Sequence, residues 1–352
     1  MFVATHTSTH EAQAPPDLID LSDEIRPTLS IEEEWLTKIL PAWKEMSGNA
    51  RVRHLVHLGV PHAVQGSLWW IALSPAEDET SFERAAAQSC RLREVLEFDW
   101  DGSRRKSEPL LEDLRTVSAD VPRTFAEAQR LGTLDAEQLK RTLDAIVAGA
   151  GLDATGKGCS ARAHGYVQGI ADVVAIFLMH GQPPWQAYGC LRALSSQPLL
   201  QPLLALDSAL WEALGGVFAQ HLGKNLPELA AHLDELGLVP SFYLPEWLVP
   251  LWCRTLCPEA SALVLNLILI EGSLSLLRVA LGVVSALSTH LLELDCLSDC
   301  RSLLSTGPRE LSISTFRACV MSCAVEPRLC RPLEPWLEDS PDGSSGVCVG
   351  FR

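Results

Sequence analysis

Tyrosine and phenylalanine are scarce in this 352-residue chain, at three and nine copies, and it lacks the succession of short alternating segments that builds sandwiches or barrels. An all-β architecture is excluded. Clustered Lys and Arg are missing too: the formal net charge is −16, whereas a grip on nucleic acid needs a basic surface to neutralise phosphates. Nucleic acid is therefore not an expected partner. The first residues show no basic region followed by an apolar secretory run, which points to a reducing, cytoplasmic setting. The eleven cysteines are scattered through apolar segments rather than gathered into a short framework. Cys253/Cys257, Cys296/Cys300 and Cys319/Cys323 share a four-residue spacing that would put two thiols on one helix face. No His-x-x-x-His lies beside them in the sequence, so we expect small hydrophobes in a core and no metal. Repeats of 20 to 50 residues are absent, which argues against a solenoid. The most membrane-like stretch, Ala262 to Leu287, carries Glu271 and Arg278 near its centre, where charges facing lipid are costly. Two buried core helices fit it better than a membrane span.

What the chain does have is an apolar fraction of 47%, length enough for a sizeable core, and helical periodicity through most of its length. The expected class is all-α. Residues 1–30 are polar, acidic and interrupted by Pro15, Pro16 and Pro27, the composition of a disordered tail. Ser30 followed by Glu33 offers a capping box for a helix bearing Trp35, Ile39 and Leu40. Order is expected from there to about residue 330, and residues 331–352, with Pro332, Pro335 and a Gly/Ser run, read as a second tail. Within the body, Pro61 can open a helix anchored by Trp69 and Trp70. Residues 99–108 and the Gly/Ala/Ser-rich stretch before Tyr166 read as loops. Further helices are expected over Thr133 to Gly149, Ala171 to Met179, Trp185 to Leu194 and Ala209 to Leu222.

Two stretches carry unusual polar residues. In Ala163-His-Gly-Tyr-Val-Gln-Gly-Ile, Gln168 stands between glycines directly before a long apolar run, so its amide would sit at the mouth of a buried helix. In Leu114-Arg-Thr-Val-Ser-Ala-Asp-Val-Pro-Arg-Thr-Phe, Thr124 and Glu127 have capping-box spacing for a helix over Phe125 to Leu131. Arg123 would then lie just outside a helix N-terminus, where the dipole disfavours a cation by about 0.3–1 kcal/mol. Asp120, three residues earlier, can hold its guanidinium through a charge-assisted hydrogen bond. An ordinary surface ion pair and a solvated helix-start Gln are the readings of these residues taken singly.

In order along the chain, the motifs resemble those of TBC domains, the GTPase-activating proteins of Rab-type small GTPases. Gly59-Val-Pro-x-x-x-Gln-Gly-x-x-Trp is similar to the family's Gly-Ile-Pro-x-x-x-Arg-Gly-x-x-Trp. Val117-Ser-Ala-Asp-Val-Pro-Arg-Thr resembles its Ile-x-x-Asp-x-x-Arg-Thr, and Tyr166-Val-Gln-Gly its Tyr-x-Gln-Gly. Pro227 to Leu233, Tyr243-x-x-x-Trp247 and Glu271-Gly272 follow in the family's order, so the resemblance covers residues 50–300 within a body of 31–330. It implies a large multi-helix TBC fold and GTPase activation in trans, with Arg123 as arginine finger and Gln168 as glutamine finger. Asp120 would orient Arg123, while Tyr166, Gly169 and Thr124 support the pair. The implied partner is a Rab-type GTPase in its GTP-bound state, and GTP and Mg²⁺ belong to that partner, so no cofactor of the chain's own is expected. The implied setting is vesicle trafficking, in the cytoplasm or peripheral on endomembranes, with membrane contact only through the GTPase. Gln65, where the family usually has Arg, and Leu265-Asn266, where it usually has Trp-Asp, mark a divergent member. A TBC-like scaffold that binds a GTPase without accelerating it and an unrelated helical interaction module are the alternatives.

Overall fold

The computed structural model describes residues 29–98, 109–150 and 166–337. The stretches expected as tails, as far as residue 28 and from residue 338, and those expected as loops, 99–108 and 151–165, lie outside the described residues. Among the described residues every regular element is helical. The expected class is therefore observed.

Local sequence explains where several helices begin and end. Ser30 accepts from the Glu33 amide while Glu33 accepts from the Ser30 amide, at 3.1 and 2.8 Å, so the capping box forms. The helix it opens is short: Ile31–Glu34 passes into a π-helical turn, Trp35–Ile39, which turns Trp35 and Ile39 into the core. Pro61 is the N-cap of His62–Leu73, placed where its missing N–H costs nothing. Apolar residues on every side of Ile170–Met179 predict a fully enclosed helix, and Ile170 through Phe177 are indeed buried. Enclosing Ile176 and Phe177 contributes about 1.5–3 kcal/mol each.

This helix lies against Ala136–Ala150, Pro184–Ser195 and Pro258–Glu271. Glu79–Phe98 lies against Ala136–Ala150, which also contacts Pro109–Asp120, Pro184–Ser195 and Ile170–Met179. Arg93 ties three of these helices together: it donates to Asp144 (Nε to Oδ2, 2.6 Å), to the Ser118 hydroxyl (2.8 Å) and to the Leu114 carbonyl (3.2 Å). The segment that ends at Asp120 is thereby fixed from two sides.

The membrane-like stretch becomes two packed helices, Pro258–Glu271 and Ser275–Leu292. Ser275–Leu292 alone among the described helices is long and apolar enough by composition to cross a membrane, yet it is covered by Pro258–Glu271, Leu297–Glu310 and Ile313–Ser322. A Cβ on Gly282 would come within 2.6 Å of the Val320 Cα, so this crossing needs glycine. Glu271, the charge in the middle of the stretch, accepts from Arg278 and contacts His57 Nε2 at 2.5 Å. Burial pushes its carboxyl up, but the hydrogen bonds from His57 and Arg278 outweigh this and leave it below the ordinary glutamate value. His232 Nε2 lies 3.1 and 3.0 Å from the carbonyls of Leu291 and Leu294, a capping role at the end of Ser275–Leu292.

Both departures from the family motif are interior. Asn266 is fully buried and accepts from Trp69 Nε1 at 2.8 Å, and Gln65 is buried one turn before Trp69, with Nε2 3.5 Å from the Val60 carbonyl. Cys253 lies wholly in the core, where burial raises its thiol well above the ordinary value. Packed chain continues past residue 330: the 3-10 segment Pro327–Trp336 lies on Ser208–Asn225 and buries Cys330 and Leu333.

Candidate functional site

The site starts from the end of the helix Pro109–Asp120, which continues into one turn of 3-10 helix, Val121–Arg123. Pro122 sits in the first turn of that segment, a position that tolerates its missing N–H. Two expectations are corrected here. Thr124 and Glu127 do not form a capping box. The helix that follows is Ala126–Arg130, its N-cap is Phe125 in a left-handed conformation (φ 45°, ψ 49°), and no side chain caps it. The Thr124 hydroxyl instead donates backwards to the Asp120 carbonyl at 2.9 Å. Arg123 is accordingly the last residue of the Pro109–Arg123 helical run, the end where a dipole favours a cation, rather than a misplaced charge before a helix.

Asp120 is nearly enclosed, 2% exposed, while the Arg123 side chain is 62% exposed. Arg123 donates Nη2 and Nε to Asp120 Oδ1 at 2.5 and 3.2 Å. The other oxygen, Oδ2, accepts from the Tyr166 hydroxyl at 2.8 Å. One carboxylate therefore joins two motifs 46 residues apart in the chain. Burial, then the charge of Asp120, pushes the Tyr166 hydroxyl far above the ordinary tyrosine value, so it stays protonated and donates. A capping role for the Asp120 side chain is ruled out, since both oxygens are engaged with side chains and it caps no helix.

Gln168 follows Tyr166 by two residues and is exposed. Gly169, the N-cap of Ile170–Met179, has φ 112°, where side chains with a Cβ are strained. A Cβ there would also stand 3.2 Å from Pro250 Cβ and 3.4 Å from its nitrogen. The amide of Gln168 is thus presented at the mouth of a buried helix by a turn that only glycine fits.

Three residues of the site went unread in the sequence. Gln129 reaches back from Ala126–Arg130 and donates Nε2 to the carbonyls of Val121 and Thr124, 2.7 Å each, clasping the turn around Arg123. No local pattern announces it. Asp172 and Arg254 form an ion pair, Arg254 Nη2 to Asp172 Oδ2 at 2.9 Å; burial holds the Asp172 carboxyl above its ordinary value although Arg254 pulls it down. A lone carboxylate in the apolar run Ile170–Met179 and a lone cation in Leu251-Trp-Cys-Arg were the available signals. Among the described residues no group of three or more His, Cys, Asp or Glu could hold a metal ion.

Residues 63–292 match the model of the Rab-GTPase-TBC domain. The chain belongs to that family. This TBC domain is 23% identical over 305 residues to TBC1 domain family member 12 of Xenopus tropicalis, covering 83% of this chain and 42% of that protein. It is 24% identical over 307 residues to TBC1 domain family member 14 of Bos taurus, covering 84% and 42%. The chain thus spans about two fifths of the length of these relatives. Among solved structures, the Chlamydomonas flagellar RabGAP TBC domain superposes with a TM-score of 0.58 at 16% identity, over 81% of this chain and 90% of that one. The Ypt/Rab-GAP domain of Gyp1p does so with 0.55 at 15%, over 83% and 97%. At these identities the two likenesses show a shared fold.

Proposed function

We propose that this TBC domain accelerates GTP hydrolysis by a GTP-loaded Rab-type small GTPase, inserting Arg123 and Gln168 as paired fingers beside the partner's nucleotide. The observation that carries this is the Asp120 carboxylate, which holds Arg123 on one oxygen and Tyr166 on the other while Arg123 and Gln168 remain exposed.

The chemistry asks for these two residue types. Hydrolysis spreads negative charge over the transferring phosphoryl group while a water is held in line for attack. A guanidinium is planar and always protonated, so Arg123 neutralises that charge. The Gln168 amide accepts a hydrogen bond from the water and donates one to a γ-phosphate oxygen. Asp120 restricts the guanidinium before the partner arrives, which lowers the entropy lost on insertion. The GTPase brings the GTP and the Mg²⁺, and this chain brings charge and position. Its working place under this reading is the cytoplasmic face of trafficking membranes, reached through the GTPase.

An arginine finger is worth about 10³–10⁵ in rate, or about 4–7 kcal/mol of barrier. A hydrolysis screen against a panel of GTP-loaded Rab-type proteins is the direct test, with Arg123→Lys and Gln168→Ala beside the wild type. Both variants should keep the wild-type melting temperature and lose at least about 100-fold of the stimulated rate with the responsive GTPase. Undiminished turnover in both variants rules out the paired fingers, and association without acceleration by the wild type makes the chain a scaffold.

A further inference from the structure

We infer that Arg254 is a second cationic contact in the same site, one that binds a carboxylate on the surface of the GTP-loaded GTPase next to its nucleotide. This rests on the GTPase-activating reading above and extends it from catalysis to docking.

The geometry of Arg254 repeats that of Arg123. In each pair the guanidinium turns its Nε and Nη2 edge onto a single oxygen of a buried aspartate: Asp120 Oδ1 for Arg123, and Asp172 Oδ2 for Arg254, at 3.0 and 2.9 Å. In each pair the aspartate is enclosed and the arginine is open, with side-chain exposures of 62% against 2% and 40% against 8%. A guanidinium held along one edge keeps its remaining N–H donors for a second carboxylate.

The two pairs also belong to one place. Asp172 lies in the first turn of the helix that Gly169 caps, four residues after Gln168, and the turn carrying Arg254 reaches Gly169 through Pro250. The backbone of Arg254 is itself fixed, since its carbonyl accepts from Arg309 Nη2 at 2.5 Å. Tyr166 lies near both pairs: its hydroxyl is bonded to Asp120, and Asp172 and Arg254 are close enough for their charges to act on it.

Charge balance says what such a cation is for. With a formal net charge of −16, the chain as a whole repels an acidic partner at long range. A carboxylate on a partner therefore needs local cations where the surfaces meet, and complementary charges at an interface act mainly on encounter and register. Arg123 is committed to the nucleotide. Arg254 is a neighbouring guanidinium, 40% exposed and held on a buried aspartate, and a carboxylate is the protein group whose two oxygens match its fork.

The test uses the full chain and the GTPase that responds in the panel, with kcat and KM measured separately for Arg254→Ala, Arg254→Glu and Arg254→Lys. Arg254→Ala should raise KM about 5- to 30-fold, Arg254→Glu further, and Arg254→Lys least, with kcat within about twofold of wild type. Arg254→Ala should also flatten the dependence of KM on salt. Arg123→Lys separates this from the underlying reading, because it should lower kcat at unchanged KM. If Arg254 only ties its turn to the helix, Arg254→Ala and Asp172→Ala will lower the melting temperature alike and leave KM unchanged, which overturns the inference. Where the wild type binds the GTPase without acceleration, the activation reading fails by itself, and the Kd of the same Arg254 variants for the GTP-loaded GTPase decides the docking role. An Arg254→Glu variant that binds as tightly as wild type overturns it in either case.

Discussion

Arg123 is presented by a segment with little regular structure: a turn of 3-10 helix, the left-handed Phe125, and the five-residue helix Ala126–Arg130. What keeps it in shape is polar, namely the Thr124 hydroxyl on the Asp120 carbonyl, the Gln129 amide on two carbonyls, and Asp120 between Arg123 and Tyr166. Gln168 is presented differently. It precedes a ten-residue helix whose residues from Ile170 to Phe177 are all buried, and its turn leaves little room for a side chain on Gly169 beside Pro250. One candidate finger is held by hydrogen bonds that can be removed singly, the other by packing that tolerates no added atom. The two sides of the site should therefore fail in different ways.

The largest effect on stability is expected on the packed side. Gly169→Ala adds a Cβ 3.2 Å from Pro250 at a residue with φ 112°, which combines backbone strain with overpacking, so unfolding free energy should fall by about 2–4 kcal/mol. Thermal or urea unfolding measures this directly. A variant as stable as wild type would show that the turn yields, and the contrast between the two sides would be lost.

The polar side should lose activity before it loses fold. Asp120→Asn keeps the shape and one acceptor but removes the charge that holds Arg123, which weakens that hold by about 1–2 kcal/mol, or roughly 5- to 30-fold in stimulated hydrolysis. Its melting temperature should move far less than that of Asp120→Ala, which leaves the half-buried Tyr166 hydroxyl without its acceptor. Full activity in Asp120→Asn would mean that the carboxylate does not position the guanidinium.

The smallest effect expected is at Gln129. Gln129→Met preserves length while removing the two hydrogen bonds to Val121 and Thr124, so the turn should exchange its amide hydrogens faster and the stimulated rate should fall about fivefold or less. If exchange over residues 121–126 is unchanged, Gln129 is not the clasp of that turn, and Phe125 must hold its left-handed backbone by packing alone.

How much was legible beforehand follows the same division. Periodicity and caps in the sequence were enough for the all-α class, the buried helix after Gln168, the Ser30 capping box and the reading of Ala262 to Leu287 as core helices, because each depends on neighbours within one or two turns. Arg123, Asp120 and Gln168 were legible as candidates because a polar side chain in an apolar setting, or a motif in a known order, is itself a local signal. The Thr124 and Glu127 spacing misled for a physical reason: Phe125 turns left-handed and becomes the N-cap itself, while the Thr124 hydroxyl points back to donate to the Asp120 carbonyl. Everything that joins distant segments was decided by the tertiary structure. The second oxygen of Asp120 finds Tyr166, Gly169 is backed by Pro250, and Arg254 finds Asp172 across 82 residues. Sequence spacing carries information about partners along one helix or turn, whereas partners across the fold are set by how whole helices pack, and that packing brings Tyr166 onto Asp120 and Arg254 onto Asp172.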